Sequence, residues 1–179
     1  MTAGGILALD LSTRTGWCQG GLDDAEPVSG VWVLPPMSQL AACFVALENE
    51  LDDLIELRKP RLVLSEAPIE KQQTSARLLI GLANQVLATC YRHGILAREQ
   101  SVNTMRLAML GTCSFAARDP RTGRRVPGTG SQNAKAAVIA WCHAQGWTQI
   151  ADHNEADARL AWAYARREMV RRRAARAQP

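Results

Sequence analysis

The hydrophobic pattern changes its period several times along the chain. Residues 5–11 (GILALDL) form a continuous apolar run that meets Ser12-Thr13-Arg14-Thr15-Gly16. This predicts a buried strand, a turn, and a second strand through Gly16-Trp17-Cys18. Residues 20–27 (GGLDDAEP) form a further turn, and Gly30-Val31-Trp32-Val33-Leu34 reads as a third strand stopped by Pro35-Pro36. Three consecutive strands joined by tight turns make an antiparallel meander.

From Ser38 the spacing becomes helical. Leu40, Cys43, Phe44, Leu47, Leu51, Leu54 and Ile55 recur every three or four residues, with Glu48, Glu50, Asp52, Asp53 and Glu56 between them. Pro60 follows the end of this helix, and Arg61-Leu62-Val63-Leu64-Ser65-Glu66 is a fourth strand that finishes in a carboxylate. A long helix from about Gln72 to His93, closed by Gly94, precedes a fifth strand at Ile95 to Gln100. Ser101 to Gly111 reads as a short helix. Residues 112–130, rich in Gly, Pro and Arg, read as a mobile basic loop, and two more helices follow at about Ser131–Gln145 and Asn154–Arg173. No repeat or linker interrupts this order, so residues 1–179 are expected to form one domain, with a basic C-terminal tail over about 166–179.

Composition sharpens this picture only through the charge. The net charge is +4, but residues 1–60 carry 3 basic and 9 acidic groups, whereas residues 61–179 carry 18 and 8. A basic segment of that kind suits a polyanion, although 18 of the 21 basic residues are Arg and a charged surface can be merely solvated. The five cysteines are widely spread with no CxxC pair, which disfavours structural zinc and a disulfide framework; each is expected to be a small core residue. Trp17, Trp32, Trp141, Trp147 and Trp162 stand mostly at apolar positions and are expected to pack in the core rather than stack on bases. With no basic, apolar leader and no apolar run of about 18 residues, a cytoplasmic protein without a membrane span is expected.

Three carboxylates invite a chemical reading. Asp10 lies in the first apolar strand, and a lone buried carboxylate is costly unless a partner compensates it. Either it caps the turn through Ser12 or Thr13, or it belongs to a site. Glu66 ends the fourth strand and is open to the same two readings. Asp157 stands near the start of the last helix in DHNEADA (152–158), where Asp152 with Glu155, or Asn154 with Asp157, resembles a capping box. Together these carboxylates can converge on one end of a sheet, where they would repel one another unless a divalent cation joined them. Oxygen ligands suit Mg²⁺ or Mn²⁺, and two such ions can activate water and stabilise the leaving oxygen of a phosphodiester.

The segments ILALDLSTRTGW, LVLSEAP, GTGSQNAKAAV and DHNEADARLAWA resemble, in order and spacing, the successive motifs of RuvC-type Holliday-junction resolvases, especially shorter phage-like members. The resemblance spans roughly residues 5–165. It implies an α/β, ribonuclease H-like fold: a five-stranded mixed sheet, with an antiparallel three-strand meander and parallel strands, flanked by helices. It also implies two metal ions held by an acidic residue of the first strand, a Glu at the end of the fourth, and two ligands on the last helix. Asp10, Glu66 and Asp157 match three of these. The remaining ligand of the family stands three residues before the final Asp, where this chain has Asn154. His153, one turn before Asp157, is the alternative, with Asp152 and Glu155 behind. Lys135 resembles the family's lysine near the scissile phosphate, and Gly128, Gly130 and Ser131 would let backbone N–H groups approach that phosphate.

The implied activity is metal-dependent cleavage of four-way or otherwise branched DNA by paired nicks, with two Mg²⁺ ions for which Mn²⁺ can substitute. The implied assembly is a homodimer, with Leu78, Leu79, Leu82, Val86 and Leu87 giving the second long helix a broad apolar face. Arg118, Arg121, Arg124 and Arg125 would contact the DNA backbone, or simply solvate the loop. Arg166, Arg167, Arg171, Arg172, Arg173 and Arg176 are a further non-specific DNA contact or a frayed tail. Two other readings stand beside the resolvase: an inactive DNA-binding or scaffold protein of the same fold, and a nuclease acting on RNA or flaps. Sugar kinases and actin-like proteins share an opening like DLSTRTG but need two such domains, which 179 residues do not supply.

Overall fold

The computed structural model of the chain describes residues 4–68 and 73–177. Strands β1 (Ile6–Asp10), β2 (Arg14–Gly20) and β3 (Val28–Val33) are followed by helix α1 (Leu40–Arg58) and strand β4 (Leu62–Glu66). Helix α2 (Gln73–Arg92), strand β5 (Leu96–Gln100) and helices α3 (Val102–Leu110), α4 (Thr129–Ala144) and α5 (His153–Arg176) complete the order. The five strands form one sheet in the order β3-β2-β1-β4-β5. β1 pairs antiparallel with β2, and β2 antiparallel with β3, while β1–β4 and β4–β5 are parallel. This is the mixed α/β sheet expected from the order of elements.

Both faces of the sheet are covered, which explains why β1 and β4 read as unbroken apolar runs. Side chains alternate between faces. Leu7, Leu9 and Val63 pack with α1 and α2, whereas Ile6, Ala8, Leu62 and Leu64 pack with α3, α4 and α5. Asp10 and Glu66 continue the second alternation, so both carboxylates end neighbouring parallel strands on the face that α5 covers. Trp162, fully buried in α5, donates its indole N–H to the Gly20 carbonyl at 3.2 Å and anchors the helix along β2.

The structure differs from the sequence-based expectation in several places. β2 starts at Arg14 because the turn is tighter than expected: the buried Thr15 hydroxyl donates to the Ser12 carbonyl at 2.7 Å. The expected start of α2 at Gln72 lies outside the described residues. The loop over 112–130 contains a small hairpin, with an antiparallel bridge between Arg118 and Arg125 and Asp119 Oδ1 accepting from the Arg121 and Thr122 amides. α5 continues to Arg176, so the C-terminal arginines up to that residue stand on a helix. Cys18, Cys43, Cys90 and Cys142 are buried as expected, but Cys113, in the segment after α3, is exposed. Among the described residues, no helix is long and apolar enough to cross a membrane.

One close approach fixes where α5 begins. A Cβ built on Gly16, the residue paired with Asp10, would overlap the Asn154 carbonyl. Backbone therefore lies on backbone at this point, and any side chain would lift the first turn of α5 from the sheet. Gly16→Ala is expected to destabilise the protein by about 1–3 kcal/mol, seen as a fall in thermal midpoint of roughly 3–10 °C. An unchanged midpoint in calorimetry would count against the close contact.

Candidate active site

The two strand ends and the first turns of α5 meet beside a cleft of about 380 Å³, whose walls include Asp10, Ser12, Thr13, Glu66 and Ala67. Asp10 and Glu66 line the same cleft, and the Asp157 charge reaches both. Each carboxylate keeps some exposed surface but is enclosed by protein on most sides. Burial raises the Asp10 pKa well above its ordinary range, with the charges of Asp157 and Glu66 adding to the shift. Glu66 is pushed up to about 7, first by burial and then by Asp157. Burial raises the Asp157 pKa too, opposed chiefly by Arg106.

Arg106 was not found from the sequence. It projects from α3, and its Nη2 donates to Asp157 Oδ1 at 3.0 Å, an ion pair in which both side chains are largely buried. Its Nε is also buried, without a hydrogen-bond partner. The only local signal was a cation on a short helix otherwise rich in Val, Met and Leu; its partner lies far away in sequence.

Lys135 of α4 and His153 of α5 form a second part of the site, with Nζ 2.7 Å from Nε2. Both side chains lie near Asp157. The starts of α4 and α5 are thereby joined beside the carboxylates. α4 opens at Gly128, whose φ of 78° is in the left-handed region, and no side chain caps the helix there. Arg118, Arg121, Arg124 and Arg125 are all exposed on the hairpin leading to that helix start.

The other ligand candidates on α5 have separate tasks. Asp152 is the N-cap, its Oδ1 accepting from the Asn154 and Glu155 amides at 2.9 and 3.1 Å, and its Oδ2 accepts from Arg14 of β2. Those contacts hold its pKa below the usual range against the effect of burial. Glu155 points away from Asp157, into a buried network: it accepts from the Ser29 hydroxyl and from Arg159 Nη2, while Arg159 Nε also donates to Ser29 Oγ. Asn154 is buried, and its Nδ2 faces Asp152 Oδ2 at 3.4 Å. Among the described residues, no three His, Cys, Asp or Glu side chains converge closely enough to form a preassembled metal cage. Arg106 instead draws the Asp157 carboxylate to itself. Asp10, Glu66 and Asp157 are nevertheless half-buried oxygen donors whose pKa values are raised first by burial and, for Asp10 and Glu66, also by the neighbouring Asp157 charge, a setting that fits hard divalent cations.

No family model and no curated protein matches the chain. Solved structures do. Thermus thermophilus RuvC in complex with a Holliday junction substrate aligns at a TM-score of 0.67 and 11% identity, over 93% of this chain and 96% of that one. A second T. thermophilus RuvC structure aligns at 0.63 and 13% identity, with the same coverage of both chains. The yeast mitochondrial Holliday junction resolvase aligns at 0.54 and 13% identity, over 94% of this chain and 80% of that one. The likeness is one of fold: the chain has the ribonuclease H-like fold of the RuvC-type resolvases.

The carboxylate shifts predict how stability depends on pH without metal. Glu66 moves from 4.5 up to about 7, so between those values the folded protein holds more protons than the unfolded chain. Its contribution is complete below 4.5 and is lost as pH rises through about 7. In EDTA the thermal midpoint is expected to fall over that interval, and Glu66→Gln to flatten the fall. A midpoint that rises with pH over the same range would overturn the assignment.

Proposed function

We propose that the chain is a divalent-metal-dependent endonuclease that cuts branched DNA, four-way junctions foremost. The observation that carries this reading is that Asp10 and Glu66, at the ends of β1 and β4, line one cleft within reach of the Asp157 charge from α5, with Lys135 beside Asp157. Resemblance in four motifs and likeness of fold to Holliday junction resolvases point to the same substrate class. Asp10, Glu66 and Asp157 would hold two Mg²⁺ ions, or Mn²⁺ in their place, with His153 or Asn154 as the fourth ligand. Bound there, the ions would supply charge against the attacking water and the leaving oxygen of the phosphodiester.

The chain's own groups have complementary work. Lys135 would donate to a non-bridging oxygen of the scissile phosphate, with His153 Nε2 setting the direction of its ammonium group. The uncapped start of α4 would offer backbone N–H groups to the same or the adjacent phosphate. Arg106 would hold the Asp157 carboxylate in position until cations arrive. The exposed arginines 118, 121, 124 and 125 would hold the flanking backbone through salt-dependent contacts. Paired nicks need two copies, and α2 offers a surface for pairing: Ile80, Leu87 and Tyr91 remain exposed on it, while Leu78, Leu82 and Val86 face the core.

One observation favours a second reading, a DNA-binding scaffold without activity. Arg106 already satisfies Asp157, and Asn154 brings no charge. Incubation of the protein with synthetic four-way, three-way and linear DNA, with Mg²⁺ or with EDTA, separates the two. The nuclease cuts only with metal and prefers the branched forms; a folded protein that binds junctions without cutting is the scaffold.

Asp10→Asn is expected to lower cleavage by more than about 100-fold while leaving junction binding largely intact. Lys135→Ala is expected to cost about 100-fold in rate, as loss of one transition-state donor does. Single-turnover cleavage together with gel-shift binding reads both, and unchanged cutting by Asp10→Asn would remove that residue from the site. Of His153→Ala and Asn154→Ala, the one that raises the Mg²⁺ concentration needed for half-maximal cutting identifies the fourth ligand.

A further inference from the structure

The end of the sheet opposite the carboxylates carries another cleft, of about 510 Å³, where β4 and β5 begin and α5 ends. Its floor is aliphatic, built from Leu22, Leu62, Leu96 and Met169. Leu96 is 52% exposed, a large apolar side chain left in water on an edge strand. Around the floor stand Arg61, Arg98, Arg172, Arg173 and Arg176. Among the described residues, no carboxylate lies within ion-pairing distance of any of these five arginines. A rim of uncompensated cations over an apolar floor matches a ligand that is acidic and apolar at once.

Nucleic acid fits only half of that description. A duplex backbone would meet the arginines but has nothing apolar to lay on the floor. Single strands bring bases, which bind by stacking on aromatic side chains, and no described residue lining this cleft is aromatic. A polypeptide can offer both chemistries. β5 is also the last strand in the sheet order, so among the described residues no strand pairs with its outer edge, which an extended chain could join. Alternate residues of an extended segment point to opposite sides, so the residues on its cleft side would lay central apolar side chains on the floor and, further along the same side, carboxylates against the rim.

We propose that this cleft docks an extended acidic segment of a partner protein, with apolar side chains at alternate positions, against the edge of β5 and the end of α5. The site is separate from the carboxylate cleft and does not depend on nuclease activity. Contacts to an exposed arginine rim weaken as ionic strength rises, so the affinity is expected to fall with salt.

The test uses the whole chain and a fluorescein-labelled peptide of about ten residues, rich in Asp and Glu, with Leu and Phe at alternate central positions. Fluorescence anisotropy is expected to show saturable binding, weakened about tenfold or more when Leu and Phe are replaced by Ala. Leu96→Asp and Arg98→Glu, both on the exposed edge, are each expected to weaken binding at least about tenfold with unchanged thermal midpoints. Equal binding of the Ala peptide would reduce the cleft to a generic anion site and overturn the proposal. So would absence of peptide binding, or a single-stranded oligonucleotide that displaces the peptide and loses affinity equally with Leu96→Asp.

Discussion

Everything near the carboxylates depends on how closely the start of α5 can approach β2. At Gly16 the two backbones touch, and Asn154 occupies the space a side chain would need. The approach is held from two sides: Arg14 of β2 pairs with the Asp152 cap at 2.9 Å, and Ser29 of β3 joins Glu155 and Arg159 in a buried network. A buried ion pair such as Glu155–Arg159 adds little net stability, because desolvation offsets its attraction. What it does here is set position. With the first turn fixed at 152–155, Asp157 falls about one helical turn later, toward the ends of β1 and β4.

The placement of Asp10 and Glu66 was legible in the sequence because each ends an apolar run, where a carboxylate has no packing reason to be. Their common face was not legible, since a strand buried on both sides has no alternation to read; only the sheet and its two cores reveal it. Asp157 was masked by a capping signature that turned out to be genuine but to belong to Asp152. Glu155, equally acidic and a neighbour in sequence, turned to the opposite side of the helix, and nothing local separates the two. Arg106 was missed for a different reason: its significance arises entirely from a tertiary contact with another helix. The last helix was readable as far as Arg173; Tyr164 and Met169 pack against the core, and the helix runs on to Arg176.

The uneven charge of the chain also takes physical form. Part of the acidic first third is neutralised locally, since Glu48 and Asp52 of α1 face Arg92, and Asp52 also meets His93. The basic remainder divides into two groups, one on the hairpin before α4 and one around the end of α5. The first leads into α4, which carries Lys135, and the second lies at the end of the strands opposite the carboxylates. A net charge near neutrality thus conceals two cationic regions in different chemical surroundings, one polar and one greasy.

β4 connects those regions as a ruler of fixed length. Leu62 lies under the aliphatic cleft and Glu66 beside the carboxylates, and at about 3.3 Å per residue the strand separates them by roughly 13 Å. A hydrogen-bonded strand in the middle of a sheet cannot stretch or shorten. Anything seated at one end is therefore carried at a constant offset from whatever is gripped at the other, an offset less than the breadth of a double helix.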